Sequence, residues 1–362
     1  MPKPLLIKVK RNTLLEIHLV TEQDEKRWND YLSQFDIPPL STFAWKHILE
    51  KSYSLKTLFF MATDNEEICG ILPTYLVKNI RGQEHLYSLK FGLVANTDEI
   101  HEQLLLHLKE FCNQNNIIST PITAGYIPVN TTYQKIVKKT VVLDLTGNEE
   151  QIWSSFSRSA RNKIRKARKS NLVAERGFHN LKQFYEIYTD NWIRKGLSIN
   201  SYKFFEILCA HLPQQTELIV AKKDDQVIAG MLLLLGKNVA TYPCEASTKE
   251  ALRYASNQFL IWEAVKICLN KKIFKLDMGE STEGGSVYEF KTKLGGKPQD
   301  IFYYNFPQHE NISLPPKESH EKLRFSIPKP SFAYVNKHIM GHAPYTIKKQ
   351  WGLWLKTKGK VI

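Results

Sequence analysis

At 362 residues, with 43% hydrophobic and 24% charged residues, the chain has room for two domains of ordinary size and reads as soluble and globular, not disordered. Its longest apolar run, residues 228–235, is too short to cross a bilayer, and the apolar residues of its N-terminus are broken by charges, so no signal peptide is read there. Fifty Lys and Arg against 36 Asp and Glu leave a net charge of +14, which favours an anionic partner: a phosphorylated substrate, nucleic acid or an anionic membrane surface.

The elements follow in order. Residues 21–35 predict an amphipathic helix with Trp28, Tyr31, Leu32 and Phe35 on one side, and residues 41–51 a second with Phe43, Trp45 and Ile48 apolar. Strands are expected over 58–62 and 68–77, joined by the turn at 64–67, and over 86–91. Residues 98–114 predict a helix, with Ile100, Leu104, Leu108 and Phe111 at helical spacing. Strand character returns over 117–127 and 141–145. The order then repeats: helices over 149–170, 180–195 and 202–211, strands over 218–222, 227–235 and 239–242, a long helix over 252–270, and strands over 273–278 and 300–306. Antiparallel strands followed by a helix and a further strand, twice over, predict two similar α+β domains with a boundary near Thr146 and Gly147. The expected division is 1–146, 147–306, and a basic aromatic tail over 307–362. The five cysteines are scattered among apolar neighbours without a C-x-x-C pair, which reads as buried free thiols in a reducing, cytoplasmic compartment.

Three stretches carry chemistry. In the predicted helix 149–170, Thr146 can cap the N-terminus and Glu149 completes a capping-box pattern. Trp153, Phe156, Ala160, Ile164 and Ala167 share an apolar face, beside a stripe of Arg158, Arg161, Arg165, Arg168 and Lys169. No acid lies between Ser154 and Ala174, and uncompensated cations repel one another unless an anion offsets them. Arginine forks suit phosphate, whether of RNA or of a diphosphate. In the second stretch, Glu245, Arg253 and Asn257 can line the start of the long helix, where a helix N-terminus holds an anion; Asn257 reads equally well as a satisfied polar residue. The third stretch is FKLDMGESTEGGSVYEFKTKLGG, residues 274–296. A short strand ends in Asp277 and Gly279, a polar loop follows, and then a cluster of Tyr288, Phe290, Lys291 and Lys293. A cation beside a flat apolar surface suits a site where negative charge develops on an oxygen; a surface loop with a solvated Lys is the plainer reading. The tail over 345–362, with Trp351 and Trp354 among lysines, reads as an interfacial segment or as a helix docked on the first domain. No metal-ligand pattern, Walker A loop, G-x-G-x-x-G or G-x-S-x-G is present.

These stretches resemble the Fem-type peptidoglycan aminoacyltransferases and the related GNAT-superfamily acyltransferase-like proteins of polysaccharide biosynthesis. The resemblance rests on RSARNKIRKARK from Arg158, on NQFLIWEA from Asn257, and on LDMG from Leu276 followed by YEFK from Tyr288, with weaker echoes at Trp45 and in GILP from Gly70. It implies two tandem GNAT-like domains, each a mainly antiparallel sheet flanked by helices, with substrate in a cleft between them. It implies a donor that is an acyl-CoA or an aminoacyl-tRNA, no tightly bound cofactor, and an acceptor that is a phosphorylated, nucleotide-linked or lipid-linked envelope precursor. By resemblance Lys291 steadies the reacting carbonyl, while Phe290 and Tyr288 shape the pocket; Asn257 and Trp45 join them as substrate-side candidates. Two departures stand out: no long helical hairpin is inserted in the second half, and no R/Q-x-x-G-x-G/A loop is evident.

The sequence therefore predicts a cytoplasmic acyl or aminoacyl transferase that forms an amide on a cell-envelope precursor at the inner face of the membrane. Lys291 serves as the electrostatic group, the arginines hold phosphates, and Asp277 or Glu283 acts as base. The alternatives are an acyl-CoA-dependent N-acetyltransferase acting on an amino sugar, and a non-catalytic nucleic-acid-binding or scaffold protein.

Overall fold

In the computed structural model of the protein, residues 5–8, 14–79 and 82–305 are described. The expected tail at 307–362 lies outside them. Among the described residues the chain divides into two compact units, one holding those up to Lys138 together with 300–305, the other holding Lys139–Gln299. It passes from the first to the second inside a strand, eight residues before the expected boundary at 146 and 147.

The first unit contains β1 (Leu5–Lys8), β2 (Leu14–Leu19), α1 (Glu25–Leu32), α2 (Ala44–Tyr53), β3 (Lys56–Asp64), β4 (Glu67–Lys78), β5 (Glu84–Ser88), β6 (Val94–Ala95), α3 (Asp98–Gln114), β7 (Ile118–Ser119) and β8 (Ile122–Gly125). Its sheet runs β1-β2-β3-β4-β5-β7, with β6 also on β4. All pairs are antiparallel except β5 with β7. Asn65 and Glu66 turn the β3–β4 hairpin with φ of 48° and 70°, the double positive φ that a two-residue turn between twisted strands requires. Thr97 caps α3 by accepting from the Ile100 amide, and Leu104, Leu105, Leu108 and Cys112 bury its inner face. A Cβ at Gly70 of β4 would stand 2.8 Å from Ile100 and 2.9 Å from Leu104, so glycine lets this helix lie close on the sheet.

The second unit is built from β9 (Gln134–Asp144), α4 (Glu149–Ser155), α5 (Arg158–Lys169), β10 (Val173–Arg176), α6 (Leu181–Arg194), α7 (Tyr202–His211), β11 (Thr216–Lys223), β12 (Gln226–Leu235), β13 (Val239–Ser247), α8 (Ser256–Asn270), β14 (Lys275–Glu280), α9 (Ser286–Lys293) and the start of β15 (Lys297–Asn305). Its strand order is β10-β11-β12-β13-β14-β9. Only β13 with β14 is parallel; the rest are antiparallel. One core unites the sheet with α4, α5 and α8 through Ile152, Phe156, Ile164, Leu233, Leu260, Trp262, Val265 and Leu276. Elsewhere in the unit α6 and α7 stack Phe184, Tyr185, Tyr188 and Phe205 edge to face.

Two expected helices are corrected. Residues 149–170 form two helices, broken where Phe156 turns extended at ψ 139°. Phe156 is buried, and Ser157 starts the new helix by accepting from the Ala160 amide at 3.2 Å. The cap of α4 is Asn148, in a capping box with Gln151, whereas the expected Thr146 donates its amide to Asp144. Residues 252–270 likewise split into a 3-10 turn, Glu250–Tyr254, and α8, because Ala255 sits at φ 56°. Both sheets were expected; β1, β2, β6, β10, α9 and the polar first half of β9 were not.

Candidate functional site

The site lies at the open end of the parallel pair in the second unit. β13 and β14 pair only over Val239–Thr241 and Lys275–Asp277. Beyond that point β13 runs to Ser247 and β14 to Glu280 without pairing to each other.

Asp277 shapes the strand end. It is 3% exposed, and its Oδ1 accepts from Thr140 Oγ1 at 2.5 Å and from the Gly279 amide at 2.7 Å. That bond bends the chain back at Gly279, whose φ of 84° disfavours any residue with a Cβ. The loop then leads into α9, an eight-residue helix on which Lys291 alone is fully buried. The Lys291 ammonium is 4% exposed and donates to Gly279 O at 2.7 Å, to Glu280 O at 3.4 Å and to Ser281 Oγ at 2.7 Å. A buried ammonium is costly unless hydrogen-bonded, and these acceptors offset the cost. They also fix the three residues that end the strand. The chain leaves α9 through Gly296, where a Cβ would stand 2.3 Å from Met278 Cε and 2.5 Å from Val141.

The other candidates distribute as follows. Tyr288 and Phe290 are half-buried and pack on the core beside Lys291, while Glu283 is exposed in the loop. Arg161 donates to Ser154 O at 2.9 Å and Phe156 O at 2.7 Å, bracing the α4–α5 break. Arg165 and Arg168 lie over the Trp153 ring, 5.5 and 5.8 Å from its centroid. Arg158, Lys163, Lys166 and Lys169 are exposed. The Ser157 amide donates to Lys293 O at 2.8 Å, so the end of α9 meets the start of the basic helix. Asn257 stands in the first turn of α8, accepting from Ser256 Oγ at 3.3 Å, and no side chain caps that helix. Trp45 belongs to the first unit, 2% exposed, with its indole N–H on Pro39 O at 2.8 Å; its role there is packing.

Thr140 and Ser281 are the polar residues of the corner that the sequence reading passed over. Thr140 is far away in the chain, and nothing near it in sequence signals the contact. Ser281 follows the D-x-G stretch within two residues, which was the available signal. The five cysteines are buried free thiols, and burial pushes four of them up: to about 11 for Cys69, about 12 for Cys209 and Cys268, and upward for Cys244. Among the described residues no group of three His, Cys, Asp or Glu is placed to hold a metal, and no helix is long and apolar enough to cross a membrane.

A family model of the GNAT acetyltransferase domain matches residues 154–292, a span that opens just before the basic helix and closes just after Lys291. No curated protein matches the sequence. Among solved structures, FemX superposes with a TM-score of 0.61 at 14% identity, over 80% of this chain and 97% of that one. L-PGS from Bacillus licheniformis gives 0.51 at 11% identity, over 80% and 94%. The C-terminal domain of a putative lysylphosphatidylglycerol synthetase from Agrobacterium fabrum gives 0.50 at 13%, over 78% and 92%. At these identities the likeness is one of fold. Residues 154–292 of the second unit therefore match a GNAT acetyltransferase domain, and the chain is similar in fold to FemX.

Proposed function

We propose that the protein transfers an acyl or aminoacyl group from an activated ester or thioester to an amine, forming an amide on a cell-envelope precursor. The observation that carries this reading is the buried Lys291 ammonium at the end of β14, where backbone pairing with β13 has stopped. The amine nitrogen attacks the carbonyl carbon, negative charge gathers on the carbonyl oxygen, and the C–N bond forms as the thiolate or alkoxide leaves. The proton lost by the amine ends on the leaving group. A fixed positive charge lowers the barrier by stabilising the oxygen only while it is charged. Phe290 and Tyr288 wall the corner, and Asp277 holds its shape. Of the two candidate bases, Asp277 is buried and already accepts from Thr140 and the Gly279 amide, whereas Glu283 is exposed in the loop and takes the amine proton.

Two features bear on the substrates. The end of pairing between β13 and β14 beyond Thr241 and Asp277 suits a donor arm that contains amides, such as the pantetheine of an acyl-CoA. The cations of α5 suit phosphate, and FemX and the lysylphosphatidylglycerol synthetase domain share the fold, which supports a phosphorylated, nucleotide-linked or lipid-linked acceptor. The purified chain, given a UDP-muropeptide with either acetyl-CoA or aminoacyl-tRNA, is expected to form an amide. Acyl-CoA dependence shows as release of free thiol; aminoacyl-tRNA dependence shows as activity abolished by ribonuclease. Absence of product from both donors would overturn the proposal.

A further inference from the structure

We infer that Ser281 is a catalytic residue: its hydroxyl, anchored by the Lys291 ammonium, donates the hydrogen bond that meets the negative oxygen of the reacting carbonyl. This rests on the transferase reading above. Lys291 becomes a positioning residue, whose charge reaches the substrate through Ser281.

The geometry is specific. Lys291 Nζ stands 2.7 Å from Ser281 Oγ. An ammonium has three protons and no lone pair, so in this bond the serine oxygen accepts. A serine hydroxyl that accepts keeps its own proton to donate. Lys291 donates to Gly279 O, Glu280 O and Ser281 Oγ, on the loop and strand end. Its buried position leaves the ammonium poorly placed to touch a substrate, whereas Ser281 is half-buried at the margin of the site. The Ser281 backbone is pinned as well, its amide donating to Lys139 O at 3.1 Å. A hydroxyl held at both ends needs no reorganisation when charge develops, and a neighbouring cation strengthens its donation.

The same geometry argues against Ser281 as a nucleophile. A lysine that removes a serine proton must be a neutral amine, and here the lysine nitrogen faces two carbonyl oxygens that accept from it. In the step inferred here no bond to Ser281 forms. The carbonyl oxygen takes up charge as nitrogen attacks, Ser281 donates to it, and the charge returns to the carbonyl as the leaving group departs.

Initial rates with acetyl-CoA or aminoacyl-tRNA and a UDP-muropeptide test the role. Ser281→Ala is expected to lower kcat about 100-fold, as loss of one oxyanion donor does, with the acceptor KM little changed and Tm lowered by loss of one acceptor of the Lys291 ammonium. Ser281→Thr keeps the hydroxyl and is expected to hold kcat within about tenfold of the parent, rescuing most of the loss. If Ser281 only satisfies the buried ammonium, Ser281→Ala will leave kcat unchanged whatever happens to Tm, and the inference is overturned. An acyl adduct on Ser281 in intact-mass spectra would overturn it in favour of covalent catalysis. A measurement independent of turnover is the side-chain nitrogen resonance of Lys291: an ammonium at neutral pH supports the arrangement, and a neutral amine overturns it. Should the wild type transfer nothing from either donor, the transferase reading falls and this role with it. An active wild type matched by Ser281→Ala removes the Ser281 role alone.

Discussion

Two cationic regions of the second unit stand in contrast. Helix α5 carries seven Lys and Arg in twelve residues, most of them exposed. The β14–α9 corner has Lys291, one buried cation with three named acceptors within 3.4 Å. In the sequence α5 is the conspicuous feature. In water its charges are screened within about 10 Å, and each adds attraction for an anion without fixing where that anion sits. Lys291 lies in a low-dielectric setting, where a charge acts strongly on its few neighbours and its position matters to fractions of an ångström. In the proposed function, numerous exposed cations gather a substrate, and one buried cation organises a reacting atom.

The largest expected effect comes from breaking the buried side. Lys291→Met preserves most of the volume but leaves Gly279 O, Glu280 O and Ser281 Oγ without their donor. A loss of about 3 kcal/mol is expected in urea unfolding, from three part-buried acceptors left without this donor. A Lys291→Met protein as stable as the parent would dissolve the contrast. Gly296→Ala is expected next, at about 2 kcal/mol, because overpacking a filled core costs roughly that much. The added Cβ would stand 2.3 Å from Met278 Cε and 2.5 Å from Val141. An unchanged denaturation midpoint would show that the corner yields easily.

On α5 the effects should divide by contact. Arg161→Ala removes the donors to Ser154 O and Phe156 O. It should cost about 1 kcal/mol, the usual worth of such bonds. Lys163→Glu with Lys166→Glu alters exposed residues and should change stability by no more than about 0.5 kcal/mol. The same pair should weaken binding of a phosphorylated ligand and flatten its dependence on salt in a titration. If the double variant unfolds the protein, or binding is unchanged, the view of α5 as a gathering surface is wrong.

The parts legible in sequence were those governed by local rules. Helix α3 begins and ends as expected because a Thr cap, acidic first residues and apolar spacing agree. On α5 the buried face is Ala160, Ile164 and Ala167, as the 3.6-residue period requires. The same period hid the break at Phe156, since a buried aromatic fits helical phase whether or not the backbone continues. Helix α9 was missed because eight residues with Thr and two aromatics give a weak pattern. β10 escaped because Val173 faces outward at an edge, 60% exposed. At the site, Lys291 and Asp277 were legible as chemistry but not as geometry. The acceptors of Lys291 are two backbone carbonyls and a serine ten residues back, and the partner of Asp277 is Thr140, 137 residues away. Backbone acceptors and long-range pairs leave no sequence pattern.

The smallest expected effect concerns a cation between the two extremes. Lys222, partly exposed, donates to Glu175 Oε2 at 2.6 Å across the β10–β11 pair. That bond, together with donation from Asn180 and the His179 contact, holds the Glu175 carboxyl down at about 2, below its ordinary 4.5. Because the folded value lies below the unfolded one, the carboxylate contributes stability above pH 4.5, and that contribution disappears as pH falls from there through about 2. Glu175→Gln cannot titrate. The gap in unfolding free energy between parent and variant should therefore be constant from about pH 6 to 8 and close as acid is added. The gap should also narrow with salt, because the pair is open to solvent. A difference that stays the same down to about pH 2 would mean that Glu175 acts through packing and hydrogen bonds, as the buried corner does, and not through its charge.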